Sequence, residues 1–109
     1  MKRLISCILF SALFSSSPLF AFEYCQQREI FEAKMAHAKK FGISFSKVDL
    51  EEHKPGPWTR MDGNNHGNDL VGVFHWSEDG EQKIKSRYLI SAKQIGKTSD
   101  CKVMSLKLQ

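Results

Sequence analysis

The sequence is short of cysteine and proline and has no long apolar run. Only three cysteines and three prolines occur among its 109 residues, and no apolar stretch reaches the roughly 20 residues that a membrane-spanning helix needs. No internal repeat and no low-complexity segment is evident. These absences argue against a helical membrane anchor and a repeat architecture, and we expect one small domain.

A strong excess of charge of one sign is also lacking. The 16 basic and 12 acidic residues give a formal net charge of +4 at pH 7. Nucleic-acid-binding domains usually carry a larger basic excess that is concentrated on one face. The sequence therefore predicts no nucleic-acid partner.

Residues 1–21 have the layout of a secretory signal peptide. Two basic residues precede an apolar run over residues 4–14, and small residues then lead to Ala21. We expect cleavage after Ala21, with an earlier cut within residues 15–17 as the alternative. The mature chain, residues 22–109, is then a single periplasmic or secreted α+β domain without a membrane span.

Two cysteines, Cys25 and Cys101, remain after such a cleavage. Cysteine pairs in small exported domains usually form disulfides. A bond between these two would close a loop of nearly the whole mature chain, which the chain-entropy model values at about 4 kcal/mol. Neither cysteine lies in a redox or nucleophile motif, so no catalytic thiol is expected.

Residues 26–41 have the pattern of an amphipathic helix that ends at Gly42, a residue typical of a helix C-cap. Glu29 and His37 are expected on its surface. The apolar residues near one side of this helix are Ile30, Phe31, Met35, Ala38 and Phe41.

The rest of the chain predicts strands and turns. We expect a strand over residues 43–51 with a bulge near Ser46, a loop over 53–57, a short strand over 58–61, and a turn-rich loop over 62–69. A hairpin, a turn and a last strand follow over residues 70–92, 96–100 and 101–108.

This order predicts an α+β domain in which one N-terminal helix packs on a four- to five-stranded antiparallel meander, with one disulfide. The order of elements resembles that of cystatin-like rolls, in which a sheet wraps one long helix. The resemblance lies in architecture alone and implies no function.

The hairpin admits two registers. A two-residue turn at Asp79-Gly80 pairs Trp76 with Lys83, whereas a three-residue loop that includes Glu78 pairs Ser77 with Glu81. We favour the three-residue loop, because it separates an apolar face from a basic one and avoids burying lysine. It places Phe74, Trp76 and Tyr88 together on the buried side.

The opposite face of this predicted hairpin is the first candidate site. Aromatic and arginine side chains dominate many binding interfaces, and basic residues interleaved with apolar ones suit an acidic partner. We therefore predict a non-enzymatic binding module of inhibitor, immunity or accessory type that engages a protein or an anionic envelope component. The alternative is an ordinary solvated face with Trp58 in the core. The predicted binding residues are Trp58, Arg60, Val71, Val73, His75, Lys83, Lys85 and Arg87.

Metal binding is the second function class. His53, His66, His75 and Asp69 could serve as ligands of a metal-binding protein or a small metal-dependent hydrolase, although no tight metal-binding spacing links them. The loop that starts at Asp62 resembles the opening of a calcium-binding loop but has valine where the last carboxylate belongs. Solvated histidines are therefore the preferred interpretation. No nucleophile can be placed beside a base, and neither catalysis nor a cofactor is expected.

Overall fold

A computed structural model describes residues 17–96 and 100–109, with side chains described from Cys25 onward. Most of the predicted signal peptide, residues 1–16, lies outside the described residues, as does the centre of the predicted turn at residues 97–99. The remaining five residues of the predicted signal segment form the start of a helix.

One helix packs on one face of a four-stranded antiparallel sheet, which confirms the predicted fold class. The strands follow one another across the sheet in chain order, as a meander. The helix is α1 (Ser17–Phe41), a short 3₁₀ turn covers Phe45–Lys47, and the strands are β1 (Asp49–Met61), β2 (Asn64–Trp76), β3 (Lys83–Gln94) and β4 (Cys101–Leu108).

Two predictions from local sequence patterns are confirmed, the glycine cap of the helix and the bounds of the last strand. Helix α1 ends where Gly42 adopts a left-handed φ of 66°, and the Ile43 amide donates to the Ala38 carbonyl at 3.0 Å. Both features belong to a glycine-capped helix end. The last strand covers the predicted residues.

The predicted disulfide is present. Cys25 in α1 is bonded to Cys101 at the start of β4, with their Cα atoms 5.4 Å apart. The helix is therefore tied to an edge of the sheet.

The region before the hairpin was predicted wrongly. Strand β1 begins at Asp49 rather than at residue 43, and it runs through the predicted 53–57 loop. Its prolines are tolerated because β1 is an edge strand, with a register irregularity between Pro55 and Trp58. The predicted 62–69 loop shrinks to the turn Asp62-Gly63, where both residues have the positive φ that a tight hairpin turn requires.

The hairpin register was also predicted wrongly. Trp76 pairs with Lys83 and Phe74 with Lys85, which is the register of the rejected alternative. Gly80 does have a positive φ of 76°, but the Ser77 amide donates to the Gln82 carbonyl at 2.8 Å and closes a four-residue loop.

The environments of the two faces of β2 explain why the hairpin adopts this register. Val71 and Val73 are fully buried beneath Ala33 of α1, in a core that also contains Tyr88 and Ile90. Phe74 and Trp76 lie on the open side, where the Lys83 ammonium group is 4.5 Å from the Phe74 ring centroid and 5.7 Å from that of Trp76. Such a lysine keeps its charge in water while its stem covers the rings, so sharing a face with aromatic residues buries no charge.

The side of α1 that packs on the sheet is not the apolar side that the sequence predicted. Phe31 and Met35 are nearly half exposed, although the apolar pattern predicted that they would be buried. The buried stripe of α1 instead carries small and polar residues at four-residue spacing, and it brings two ionisable side chains into the interior. Its members are Cys25, Glu29, Ala33 and His37.

Candidate functional site

Three ionisable side chains from three different elements meet between the helix and the sheet. Glu29 comes from α1, His53 from β1 and Asp69 from β2, and one potential ligand atom of each lies within 4.8 Å of the others. His53 Nε2 is 2.9 Å from Glu29 Oε1 and 3.5 Å from Asp69 Oδ2. We call this group the carboxylate–histidine cluster.

The sheet register explains why His53 and Asp69 converge. His53 pairs with Val71 and Pro55 pairs with Asp69, so both polar residues lie on the side of the sheet that faces α1. Residues that share a face of paired strands lie within reach of each other. The helix then brings Glu29, one turn after Cys25, onto the same spot.

Asp69 is held from its far side. The backbone amide of Gly56 donates to its Oδ1 atom at 2.8 Å, and the Trp58 indole Nε1–H donates to the same atom at 2.9 Å. The indole packs directly over Gly67, where a Cβ atom would overlap the ring. Both donors leave the Oδ2 atom of Asp69 facing the cluster.

The three groups differ strongly in protonation. Burial raises the pKa of Glu29 to about 7, while hydrogen bonds to Asp69 and Glu29 raise the pKa of His53 to about 9. Burial disfavours the charge on Asp69, but hydrogen bonds, first from His53, outweigh it and lower its pKa to about 2. At neutral pH an imidazolium thus lies between an aspartate and a half-protonated glutamic acid.

Two oxygens of the cluster are left over. Glu29 Oε2 and Asp69 Oδ2 are buried and make no hydrogen bond of ordinary geometry among the described residues. Asp69 Oδ2 does lie 3.5 Å from His53 Nε2, in an ion pair. Buried polar atoms are nearly always hydrogen-bonded, so both oxygens are open to a further partner.

A second buried polar group lies nearer the C-terminal end of α1. His37 Nδ1 is 2.5 Å from Ser86 Oγ, and His37 Nε2 is 2.8 Å from His75 Nδ1. Ser86 in turn donates to the Tyr88 hydroxyl at 3.1 Å. The ring of Phe41 covers both imidazoles, at centroid distances of 4.6 and 5.4 Å.

This chain contains a serine–histidine contact, in which the donor is set by the tautomer of His37. Ser86, His37 and Tyr88 are all buried beneath the helix, so the Ser86 hydroxyl does not face solvent. Burial, with the nearby His75 and Lys40, lowers the pKa of His37 to about 4. The group is a buried hydrogen-bond chain beneath the helix, in which the lowered pKa keeps His37 neutral at pH 7.

An open cavity of about 540 Å³ adjoins this chain at one end of the sheet. His75 reaches it from the buried side, and Trp76 borders it from the other. Its remaining lining residues are Ile43, Lys47, Ser77, Glu78 and Ile84.

The structure divides the predicted binding residues between two sides of the sheet. Val71 and Val73 are fully buried and His75 nearly so, which removes them from the predicted docking face. Trp58 is half buried against Gly67, and Arg60 on the same strand is exposed. The three basic residues of β3, Lys83, Lys85 and Arg87, do point to solvent as predicted.

The solvent-facing side of β2, β3 and β4 is here called the outer sheet face. No acidic residue occupies an outward position on these three described strands. The acids that contact this face lie on the neighbouring strand β1. Glu51 pairs with Lys85 at 2.8 Å and with Lys83 at 3.4 Å, and Glu52 pairs with Arg87 at 3.4 Å. The basic residues of the outer sheet face are Lys83, Lys85, Arg87, Lys93, Lys102 and Lys107.

The predicted metal ligands are only partly brought together. His53 and Asp69 meet in the cluster, whereas His66 pairs with Lys93 on the outer sheet face and His75 joins His37. Glu29 was not among the predicted ligands. The signal that locates it is Cys25, because a cysteine that must reach the sheet carries residues four positions apart in the helix to the same side.

Within the described residues, no helix is both long and apolar enough to cross a membrane. Comparison of the chain with protein-family models, with curated proteins and with solved structures finds no match.

Proposed function

We propose that the protein is an exported, non-enzymatic binding module whose outer sheet face docks an acidic protein. Export rests on the signal-peptide layout of residues 1–21 and fits the presence of a disulfide. The observation that carries the docking role is the composition of the outer sheet face, which has six basic residues and no acid on β2–β4.

Apolar side chains supply the contact area that such a surface needs. Trp76 is 49% and Leu89 is 38% exposed, and Leu89 lies between Leu70 and Lys107 across the strands. Exposed aromatic and aliphatic groups ringed by cations match a partner that alternates acidic and apolar side chains. Charge complementarity would mainly speed association and select the partner.

The most informative substitutions are in the part of the outer sheet face that makes no ion pair with β1 among the described residues. Lys85 and Arg87 already contact Glu51 and Glu52, so charge reversal there would place like charges together. Lys93 and Lys102 face each other across β3 and β4. Within the described residues neither lysine forms an ion pair, so their reversal, Lys93→Glu with Lys102→Glu, changes the charge of the face without changing the core.

Binding can be measured with a peptide of alternating glutamate and leucine, by the fluorescence of the half-exposed Trp76. We expect the double variant to weaken the Kd by roughly tenfold, or about 1.4 kcal/mol, and added salt to weaken wild-type binding. The matched control reverses Lys39 and Lys40, two exposed lysines in the last turn of α1, and should bind like the wild type.

Equal binding by the wild type and the Lys93→Glu, Lys102→Glu variant would refute this surface. A peptide of alternating lysine and leucine should not bind. Vesicles of anionic lipid serve as the competing probe, and binding to them without binding to the acidic peptide would replace the protein partner by a membrane surface.

A further inference from the structure

The carboxylate–histidine cluster lies on the buried side of the sheet and takes no part in the docking proposed above. Its three donors belong to three separate elements, α1, β1 and β2. Their distances, 2.9 Å and 3.5 Å from His53 Nε2 to the two carboxylates, are close to the spacing of atoms around one small ion. Ligands at about 2.0–2.2 Å from zinc are roughly 3.4 Å apart when the geometry is tetrahedral.

We propose that Glu29, His53 and Asp69 form a binding site for one divalent transition-metal ion of the Zn²⁺ class. The second observation is the pair of unsatisfied oxygens, Glu29 Oε2 and Asp69 Oδ2, on side chains that are fully buried. A bound cation would contact Glu29 Oε2 directly and would replace the long 3.5 Å contact of Asp69 Oδ2 with His53.

Charge and donor type select the class of ion. A metal ion replaces the protons of His53 and Glu29 when it binds. The two carboxylates and the neutral imidazole then carry two negative charges, so a divalent ion leaves the buried site neutral, which burial favours. Calcium and magnesium prefer sets of oxygen ligands, whereas an imidazole nitrogen with carboxylates suits zinc and its neighbours. Three protein donors leave one position of a tetrahedron for water.

The surroundings of Asp69 are those of an oriented ligand. Gly56 and Trp58 both donate to Oδ1, which fixes the carboxylate plane and directs Oδ2 toward His53. Such outer hydrogen bonds commonly hold metal ligands in place. The site also differs from a chance meeting of surface charges, because the side chains of Glu29, His53 and Asp69 are all buried or nearly so.

The test uses the full mature protein, with its disulfide intact and without a histidine tag, after removal of metal by a chelator. Titration with ZnCl₂ should show one ion bound per chain. Zinc at about 100 times its Kd should raise the Tm by roughly 10 °C or more, and a chelator should reverse the rise. Calcium chloride should leave the Tm unchanged.

Two variants locate the ion. Glu29→Gln keeps the size of the side chain but removes its charge, and it should abolish zinc binding and the visible absorption of bound Co²⁺. The matched control, His66→Gln, removes a histidine on the outer sheet face and should bind zinc like the wild type.

A measurement on the unaltered protein covers the case in which Glu29→Gln does not fold. Nitrogen NMR of the imidazole rings should show a zinc-dependent change at His53 and none at His66. A flat thermal response, binding that survives Glu29→Gln, a response to calcium alone, or an unchanged His53 signal would each overturn the metal site. None of these outcomes bears on the acidic peptide, which binds the other side of the sheet.

Discussion

Gly67 is the residue on which the position of Trp58 depends. A Cβ atom at residue 67 would overlap the indole ring, so glycine lets the ring lie flat on β2 while its Nε1–H reaches Asp69. We expect Gly67→Ala to lower the free energy of unfolding by about 2 kcal/mol, within the range typical of overpacking. Urea denaturation of the variant and the wild type measures this difference.

Gly72 provides the control on the same strand. A Cβ atom there would lie 3.0 Å from Glu52 Cγ, the middle of a flexible side chain that can move away. Gly72→Ala should therefore change the stability by less than Gly67→Ala does. Equal losses in the two variants would contradict the role assigned to Trp58 packing.

The burial of two polar residues of α1 could not be predicted from the sequence. Glu29 and His37 were expected at the helix surface because charged and polar residues are rarely buried without partners. The structure supplies those partners from the sheet, His53 for Glu29 and Ser86 with His75 for His37. Only the tertiary contacts reveal that these two polar positions are interior.

At the scale of elements, the disulfide joins α1 to β4. Strand β4 pairs with β3 along one side only, and Cys101 begins it. The bond links residues 76 positions apart. Removing such a long loop closure should cost about 4 kcal/mol, a large part of the stability of a small domain.

The double variant Cys25→Ser, Cys101→Ser tests this link. We expect its free energy of unfolding to fall by about 4 kcal/mol and the amide hydrogens of β4 to exchange faster than those of β2 and β3. Reduction of the wild type should have the same effect. Two free thiols in the untreated wild-type protein would contradict the bond.

Elements with local signals were predicted well and those without were not. The end of α1 and the whole of β4 follow from a glycine cap and from simple alternation. Strand β1 was missed because Pro55 and Pro57 normally interrupt strands. They are accommodated at the sheet edge, beside an irregularity in the register, and edge position is a property of the assembled sheet.

At the scale of the whole molecule, the layer between helix and sheet is partly polar, and this affects the stability in acid. The lowered pKa of His37, about 4 against an ordinary 6.5, means that the unfolded chain binds a proton in this interval that the folded chain does not. The free energy of unfolding contributed by His37 therefore falls as the pH falls from 6.5 to 4, by at most about 1.4 kcal/mol per pH unit.

Glu29 acts in the opposite direction. Its raised pKa of about 7 lets the folded protein hold a proton between pH 4.5 and 7 that the unfolded chain releases, so its contribution grows as the pH falls. The wild-type stability should consequently change little between pH 6.5 and 4.5. A comparison of variants is needed to separate the two groups.

His37→Gln supplies that comparison. At pH 7 the variant should be less stable than the wild type by about 1–3 kcal/mol, since Ser86 and His75 lose a buried partner. This deficit should shrink as the pH falls to 4, because the variant no longer excludes a proton. Thermal melts across this range measure it, and a deficit that is constant with pH would contradict a neutral His37 facing His75, Lys40 and Tyr88.

The fold class, the disulfide and the last strand could all be predicted from the chain alone. These features depend on short-range periodicity, on a helix cap and on a pair of cysteines, all of which are visible in the chain. The sequence also predicted that Lys83, Lys85 and Arg87 share one face of β3, because alternate residues of a strand point to the same side in either hairpin register.

The face of β2 that joins that row was settled by the packing of the helix on the sheet. Both hairpin registers satisfy the local pattern, and a slip of one residue exchanges the two faces of a strand. In the observed register Val71 and Val73 pack in the core beneath Ala33 of α1, and Lys83 lies over Phe74 and Trp76 on the solvent side. The same packing of helix on sheet brought Glu29, His53 and Asp69 together from three distant parts of the chain.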